Sequence, residues 1–437
     1  MTKDKISIIT ANYNGLKYLE PLFDSLKNQT YKNLEMILVD NNSSDDSIAF
    51  VEKKYPEVKI VKNKKNLGFA GGNNSALPYC DGEYVALINN DMVADPHWLD
   101  EMHSALIREK ADVVGAKILF YKPFVSLRIE TNVFNPQKSN LGEDTRNLGC
   151  KISSDLAFDD VSYNKTLFCE NTFNEETENS VKYHWVGNNA VVKIPIDLSL
   201  EKFVLKFKAA KSQYQLKEKV SIFIGNEKVF EDFVAEKFTE FAVEIDKNLV
   251  LNSVKHVINN AGSVFDVKTG RGRDIGMNED DDGQYDKPKE AFSLCGGSML
   301  IKKELIDAYD LFDDYFFAYY EDTDFCWRIK NKKKKMFFEP RAIVYHIHTG
   351  TSKEWSPLFR YYVARNRLAM MLKNGTCGDA AREWLFFFAK TIFDALLMIK
   401  NKRRESRKII WINFRVIGDL FIHLPALIYK RIKNMTS

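Results

Sequence analysis

Ile6-Ser7-Ile8-Ile9-Thr10 is a β-rich run that passes through Asn12-Tyr13-Asn14-Gly15 into a segment carrying Leu19, Leu22, Phe23 and Leu26 at helical spacing. A second apolar run, Met36-Ile37-Leu38-Val39, ends on Asp40. It is followed by Asn41-Asn42-Ser43-Ser44-Asp45-Asp46, a loop rich in helix-capping residues. Strand, helix, strand, helix in this rhythm predicts a parallel α/β sheet, and such sheets bind ligands at the carboxyl ends of their strands. Asp40 stands at one such end.

Farther along, a third strand around residues 59–61 leads to Asn66-Leu67-Gly68-Phe69-Ala70-Gly71-Gly72-Asn73-Asn74. The three glycines of this loop permit close approach of backbone to a ligand. A fourth strand, Tyr84-Val85-Ala86-Leu87-Ile88, ends on Asn89-Asn90-Asp91, bringing another carboxylate to the same sheet edge. A hard dication that bridges phosphate oxygens often takes only one or two protein carboxylates. The run Tyr320-Glu321-Asp322-Thr323-Asp324-Phe325-Cys326-Trp327-Arg328 gathers carboxylates, aromatics and an arginine. Crowded carboxylates beside apolar groups acquire a raised pKa suited to taking a proton from a hydroxyl; an acidic helix N-terminus is the structural alternative.

The ordered set Asp40, Gly68 to Asn74, Asn89-Asn90-Asp91, Glu321-Asp322-Thr323-Asp324 and His346 resembles family 2 glycosyltransferases of the GT-A fold. Within them it is most similar to the rhamnosyltransferase-like branch, through Gly68-Phe69-Ala70 with its following asparagines and the pair Arg365-Asn366. The resemblance covers residues 5–122 and 257–375. It implies an α/β fold of GT-A type, with a mostly parallel sheet flanked by helices. It also implies donor contacts from Thr10, Asn12, Asn14, Asp40, Asn42, Gly68, Phe69, Asn73, Asn74, Asn90 and Asp91, with Asp40 accepting from the imide of a uracil or thymine base. Mn or Mg would be held by Asp91 and His346, His348 being the other candidate, and the family's first metal-motif aspartate is Asn89 here. Asp322 would be the general base, Glu321 and Arg328 would position the catalytic site, and Gly296, Gly297, Trp327 and Arg365 would face the acceptor. The Gln-x-x-Arg-Trp motif of processive relatives is absent.

Between the halves of this resemblance lie residues 123–256. Phe203-Val204-Leu205-Lys206-Phe207, Val220-Ser221-Ile222-Phe223-Ile224 and Phe241-Ala242-Val243-Glu244-Ile245 alternate apolar and polar residues, which predicts an inserted antiparallel β-sandwich. Its aromatics Tyr183, Trp185 and Tyr214 are sugar platforms or core. Gly270-Arg271-Gly272-Arg273-Asp274-Ile275-Gly276 and Asp280-Asp281-Asp282-Gly283 are too charged and glycine-rich for core, and they read as a mobile acceptor loop or a solvated one. Ser293 to Ile301 reads as a buried strand with a glycine pair.

The tail from residue 376 differs in kind. Residues 384–399 and 409–429 are apolar and amphipathic, and Arg415, Asp419 and His423 form one narrow polar stripe at spacings of four. From Asp379 onward, 12 Lys or Arg stand against 5 Asp or Glu, a net of +7 in a chain of +3, so the remainder carries −4. Apolar helices beside the basic run Lys400 to Lys408 predict attachment to an anionic membrane surface; a homo-oligomer contact is the alternative. No nucleic-acid motif accompanies the basic run. Six cysteines without Cys-x-x-Cys spacing and an N-terminus without a signal peptide predict a reduced, cytoplasmic setting, peripheral on the inner membrane face. The expected activity is inverting, metal-dependent transfer of a sugar, rhamnose favoured, from a dTDP- or UDP-sugar to a cell-surface polysaccharide or lipid-linked glycan. Galactofuranosyl or N-acetylhexosaminyl transfer, or a catalytically silent carbohydrate-binding scaffold, are the alternatives.

Overall fold

The computed structural model describes residues 4–158, 165–347, 356–401 and 405–436. Its first part alternates β1 (Ile6–Asn12), α1 (Leu16–Lys27), β2 (Leu34–Asp40), α2 (Ser47–Lys54), β3 (Lys59–Lys62), α3 (Gly68–Ala76), β4 (Tyr84–Ile88), β5 (Met92–Ala94), α4 (Trp98–Arg108) and β6 (Val113–Phe120). After the insertion come β7 (Ser298–Lys302), α5 (Glu321–Asn331), β8 (Met336–His346), α6 (Pro357–Asn374), α7 (Cys377–Asn401) and α8 (Glu405–Thr436). The central sheet runs β8-β6-β7-β4-β1-β2-β3. Strands β1, β2, β3 and β4 are parallel, β7 is antiparallel to both its neighbours, and β8 is parallel to β6.

Both faces of this sheet are covered, so its strands are apolar on both sides. Met36 and Leu38 face a core shared with α1, α2 and α4, while Ile37 and Val39 face one shared with α3 and with Phe325 and Ile329 of α5. The register pairs Asn12 with Asp40, so β1 and β2 end level with each other. The stretch expected to be a glycine loop is instead helix α3. Gly68 starts it at φ +71, where a side chain would strike the Phe317 carbonyl, so the glycine is needed for conformation and for space.

The insertion is an antiparallel sandwich whose two sheets enclose Leu127, Ile129, Ile152, Phe203, Leu205, Val220 and Ile222. Tyr183 and Trp185 are buried in a satellite cluster under Phe134, Phe173 and Phe238 and are not open to a sugar; Tyr214 stays exposed. The acidic run 280–282 is no free loop. Lys117, buried in the central sheet, bonds Asp281 (3.0 Å); Lys193 of the sandwich bonds Asp280 (2.6 Å); and Lys255 bonds Asp282 (2.8 Å), so the aspartates clasp sandwich to sheet. Residues 263–274 are likewise ordered, as a hairpin of Ser263–Asp266 with Arg271–Asp274. Of the segment 293–301, only the part from Ser298 is strand.

The helical tail is inverted relative to a soluble hairpin. The stripe Arg415, Asp419 and His423 faces the protein: Arg415 lies over the Tyr361 ring (4.9 Å), the Tyr315 hydroxyl donates to Asp419 (3.0 Å), and His423 packs on Tyr315. Val416, Leu420 and Leu427 are buried beside it. The outward face is apolar, with Trp411 66% and Ile422 77% exposed, joined by Leu385, Phe386, Phe393 and Leu396 of α7. Residues 407–435 are long and apolar enough to cross a membrane by length and composition alone.

Candidate active site

The loops after β1, β2 and β4 are laced into one rim. Asn12 donates through Nδ2 to Ser43 Oγ (3.3 Å) and accepts through Oδ1 from Asn90 Nδ2 (2.8 Å). Asn14, at φ 52, accepts from the Ser44 amide (2.7 Å) and donates its own amide to Ser43 Oγ (2.9 Å). Asn42, at φ 64, is exposed on the same rim. Inside it sits Asp40, only 2% exposed. Its Oδ2 accepts from the Ser43 amide (3.1 Å), but Oδ1 is buried without a partner, and so is Thr10 Oγ1 on the adjoining strand. Buried polar atoms without partners are rare in native proteins, and two at neighbouring strand ends mark a place that a polar ligand completes.

Asp91 and His346 meet across β4 and β8, with Nε2 3.3 Å from Oδ2, and Asn259 Oδ1 lies 3.4 Å from the other ring nitrogen. Oxygen and nitrogen ligands each about 2.1 Å from one octahedral ion lie about 3.0 Å apart in neighbouring positions, so this pair fits a single hard dication. Among the described residues no group of three or more His, Cys, Asp or Glu could hold a metal. A phosphate-bridging dication often takes only one or two protein ligands, so a pair is compatible with one. His348 lies outside the described residues.

At the start of α5, Asp322 accepts from the Gly296 amide (2.8 Å) and the Thr323 amide (2.6 Å). A Cβ on Gly296 would stand 3.0 Å from that of Asp322, so the glycine lets the helix end close on the 293–297 segment. Burial pushes the Asp322 pKa up, and the amide bonds to Gly296 and Thr323 oppose the rise. Glu321 is only 6% exposed and its Oε2 has no partner. Burial, then the neighbouring Asp322 charge, drives its pKa well above the carboxylate range. Of the two, Glu321 carries the larger rise, while Asp322 has the amide donors that favour its charged form. Asp324, fully buried, is paired with Lys373 (2.9 Å) and Arg328 (3.2 Å).

A buried strand-end carboxylate, a carboxylate–imidazole pair and the buried Glu321–Asp322 carboxyls thus lie toward one edge of the sheet. Residues 7–163 match Glycosyl transferase family 2. The family 2 match takes in Asp40, α3 and Asp91 and runs into the sandwich; Gly296, Asp322 and His346 lie beyond it. An uncharacterized glycosyltransferase of Haemophilus influenzae is 35% identical over 114 residues, 25% of this chain and 35% of that one. The cholesterol galactosyltransferase of Borreliella burgdorferi is 28% identical over 137 residues, 31% of this chain and 37% of that one. The chain thus spans little more than a third of the length of these two curated relatives. Among solved structures, a mannosyltransferase of Pyrobaculum calidifontis in complex with GDP-Man and Mn2+ is 11% identical, covering 97% of this chain and 87% of that one at a TM-score of 0.42.

Several residues expected at the site brace it instead. Arg328 donates to the carbonyls of Tyr309 and Leu311 and to Asp324, fixing the 309–311 turn away from Asp322. Trp327 is buried against Phe316, Met370 and Met371, closed to an acceptor. Arg365 bonds the carbonyls of Tyr315 (2.5 Å) and Phe316 (3.1 Å) under the Tyr315 and Tyr362 rings. Asn73 bonds Phe69 O (2.8 Å) within α3, and Asn74 ties α3 to Phe312 O (2.8 Å). Gly297 makes room for the Met92 side chain, and Phe69 packs on Phe312 while its ring lies 3.4 Å from the Cβ position at Gly296.

Sequence reasoning missed what Asn366 does. Phe317, Tyr319 and Tyr320 all have φ between 63 and 70, each costing roughly 1–2 kcal/mol outside glycine. Asn366 Nδ2 donates to the carbonyls of Phe316 (2.9 Å), Ala318 (2.8 Å) and Tyr319 (2.7 Å), holding that strained turn just ahead of Asp322. The Arg365-Asn366 dipeptide was visible in the sequence; its partners, some 50 residues upstream, were not. Asp274 lies in the run read from the sequence as an acceptor loop, but its bond from Asn260 Nδ2 (2.6 Å) was not visible there.

Proposed function

We propose that this chain is an inverting, metal-assisted glycosyltransferase that takes its sugar from a pyrimidine-nucleotide donor. The observation that carries the reading is the pair of orphaned buried oxygens, Asp40 Oδ1 and Thr10 Oγ1, level with the Asp91–His346 pair at the carboxyl edge of one sheet. Asp40 Oδ1 would accept from the imide N–H of uracil or thymine. Asp91 and His346 would hold Mn or Mg, which neutralises charge on the leaving diphosphate. Asp322, kept in place by the Gly296 amide, takes the proton of the acceptor hydroxyl as that oxygen attacks the anomeric carbon from the face opposite the diphosphate, which inverts the configuration. Glu321, driven well above the carboxylate range by burial and the Asp322 charge, would be the carboxyl that stays neutral beside the base. Rhamnose is the favoured sugar, by resemblance to the rhamnosyltransferase-like branch.

The metal assignment makes a separate prediction. Asp91→Ala and His346→Ala should each weaken Mn-dependent binding of UDP or dTDP by about tenfold or more while leaving metal-free binding as it was, read by calorimetry. Equal Mn dependence in wild type and both variants would contradict the site.

The acceptor is a cell-envelope glycan precursor met at the cytoplasmic membrane face, since α7 and α8 turn their apolar residues outward beside the basic run Lys400 to Lys408. Truncation is a poor test, because α8 also holds Tyr315 through Asp419 and Asp313 through Lys430. Trp411→Glu with Ile422→Glu changes only exposed positions and should abolish co-sedimentation with phosphatidylglycerol vesicles at an unchanged melting temperature. Undiminished sedimentation of the double variant would refute membrane docking by this face.

A further inference from the structure

Asp274 ends the hairpin 263–274, opposite Ser263, and Ser263 in turn bridges to Ser293, two residues before Cys295 and three before Gly296, whose amide holds Asp322. Asp274 is thereby tied, through Ser263 and Ser293, to the segment that holds Asp322. Its Oδ1 accepts from Asn260 Nδ2 (2.6 Å) and Ser263 Oγ (3.3 Å), and the residue remains exposed. The buried Oε2 of Glu321, without a partner, belongs to the same region. The surrounding protein, and then the Asp322 charge, pushes the Asp274 pKa up, which accords with the neighbourhood that the Ser263–Ser293 bridge gives it.

The hairpin is held rigidly. Phe265 stacks on Phe292 (5.0 Å) and meets the edge of Trp327 (5.1 Å), while Arg367 bonds Thr269 O (2.5 Å) and Arg382 bonds Lys268 O (2.6 Å). A partly exposed carboxylate on a braced hairpin, bridged to the segment that leads to Gly296, suits a neutral hydroxyl donor. Resting on the glycosyl-transfer reading, we propose that Asp274 is an acceptor-binding residue, accepting a hydrogen bond from a hydroxyl of the acceptor sugar next to the one that Asp322 deprotonates. The acceptor is accordingly a sugar with two neighbouring free hydroxyls at the site of attachment.

The test uses the full chain, with Asp274→Asn and Asp274→Ala, and a set of octyl hexosides as acceptors at saturating donor. Asp274→Asn keeps the shape and the Asn260 contact, so a folding defect in the alanine variant does not decide the outcome. Loss of one hydrogen bond to a charged acceptor predicts an acceptor KM raised by about 10- to 100-fold in the asparagine variant, with donor Kd and melting temperature unchanged. Among the hexosides, masking the hydroxyl next to the attacked one as its methyl ether should have the same effect on wild type and little on Asp274→Asn, whereas masking the attacked hydroxyl stops transfer in both. An unchanged acceptor KM, or a donor Kd that rises in parallel, would overturn the proposal. Failure of the transfer reading itself looks different: wild type would then release no nucleoside diphosphate from any donor.

Discussion

Asp322→Asn should lower sugar transfer by about 100- to 10,000-fold, the range general-base removal costs, while the donor binds as in wild type. The asparagine keeps the shape and an oxygen able to accept from the Gly296 amide, so the turn ahead of α5 is preserved and the loss reports on proton transfer alone. The pH profile gives an independent reading. Burial raises the Asp322 pKa, so the active, ionised form is lost as pH falls through that raised value. Wild-type kcat/KM should therefore climb with pH along an acid limb set above the ordinary aspartate range, and this limb should vanish in Asp322→Asn. Retained turnover, or an unaltered acid limb, would assign the base elsewhere.

Lys373→Met should destabilise the protein by about 3 kcal/mol, near the lower end of what breaking a buried ion pair costs. The Lys373 ammonium is buried between Asp313 (2.7 Å) and the fully buried Asp324 (2.9 Å), joining α6 to α5 and to the turn before it. Burial alone would raise the Asp313 pKa, but Lys373 and Lys430 overcome it and hold the carboxyl well below its usual range. A depressed carboxyl contributes stability above its unfolded pKa, and that stability is lost as pH falls through the folded one. The variant should thus melt lower at neutral pH, with the gap to wild type narrowing in acid. A melting temperature within error of wild type at pH 7 would show that Arg328 and Lys430 suffice for the two aspartates.

The strand–helix rhythm from Ile6 to Asp91 was legible because both faces of the sheet are buried and strand ends are marked by a change from apolar to polar residues. Asp40, Asp91 and Asp322 stand at or beside such changes, and the fold gathers them on one edge. The bracing residues were not legible, because their partners are backbone carbonyls: nothing in Arg328, Arg365 or Asn74 distinguishes a side chain that reaches a ligand from one that reaches the chain itself. The α8 stripe was legible as a stripe, but its direction depended on Tyr315 and Arg365, which meet Asp419 only in the folded protein. The 270–276 segment looked mobile from its glycines and charges, and the hairpin that holds residues 271–274 is fixed by Phe265 and by carbonyl contacts that leave no sequence trace.

The measurement that tests the central claim most directly is calorimetric titration of the full chain with UDP- and dTDP-sugars and with GDP-mannose, with and without Mn, alongside Asp40→Ala. The account predicts Mn-dependent binding of a pyrimidine-nucleotide sugar that Asp40→Ala abolishes, and no binding of the purine donor. Equal binding of purine and pyrimidine donors, or full affinity in Asp40→Ala, would contradict it.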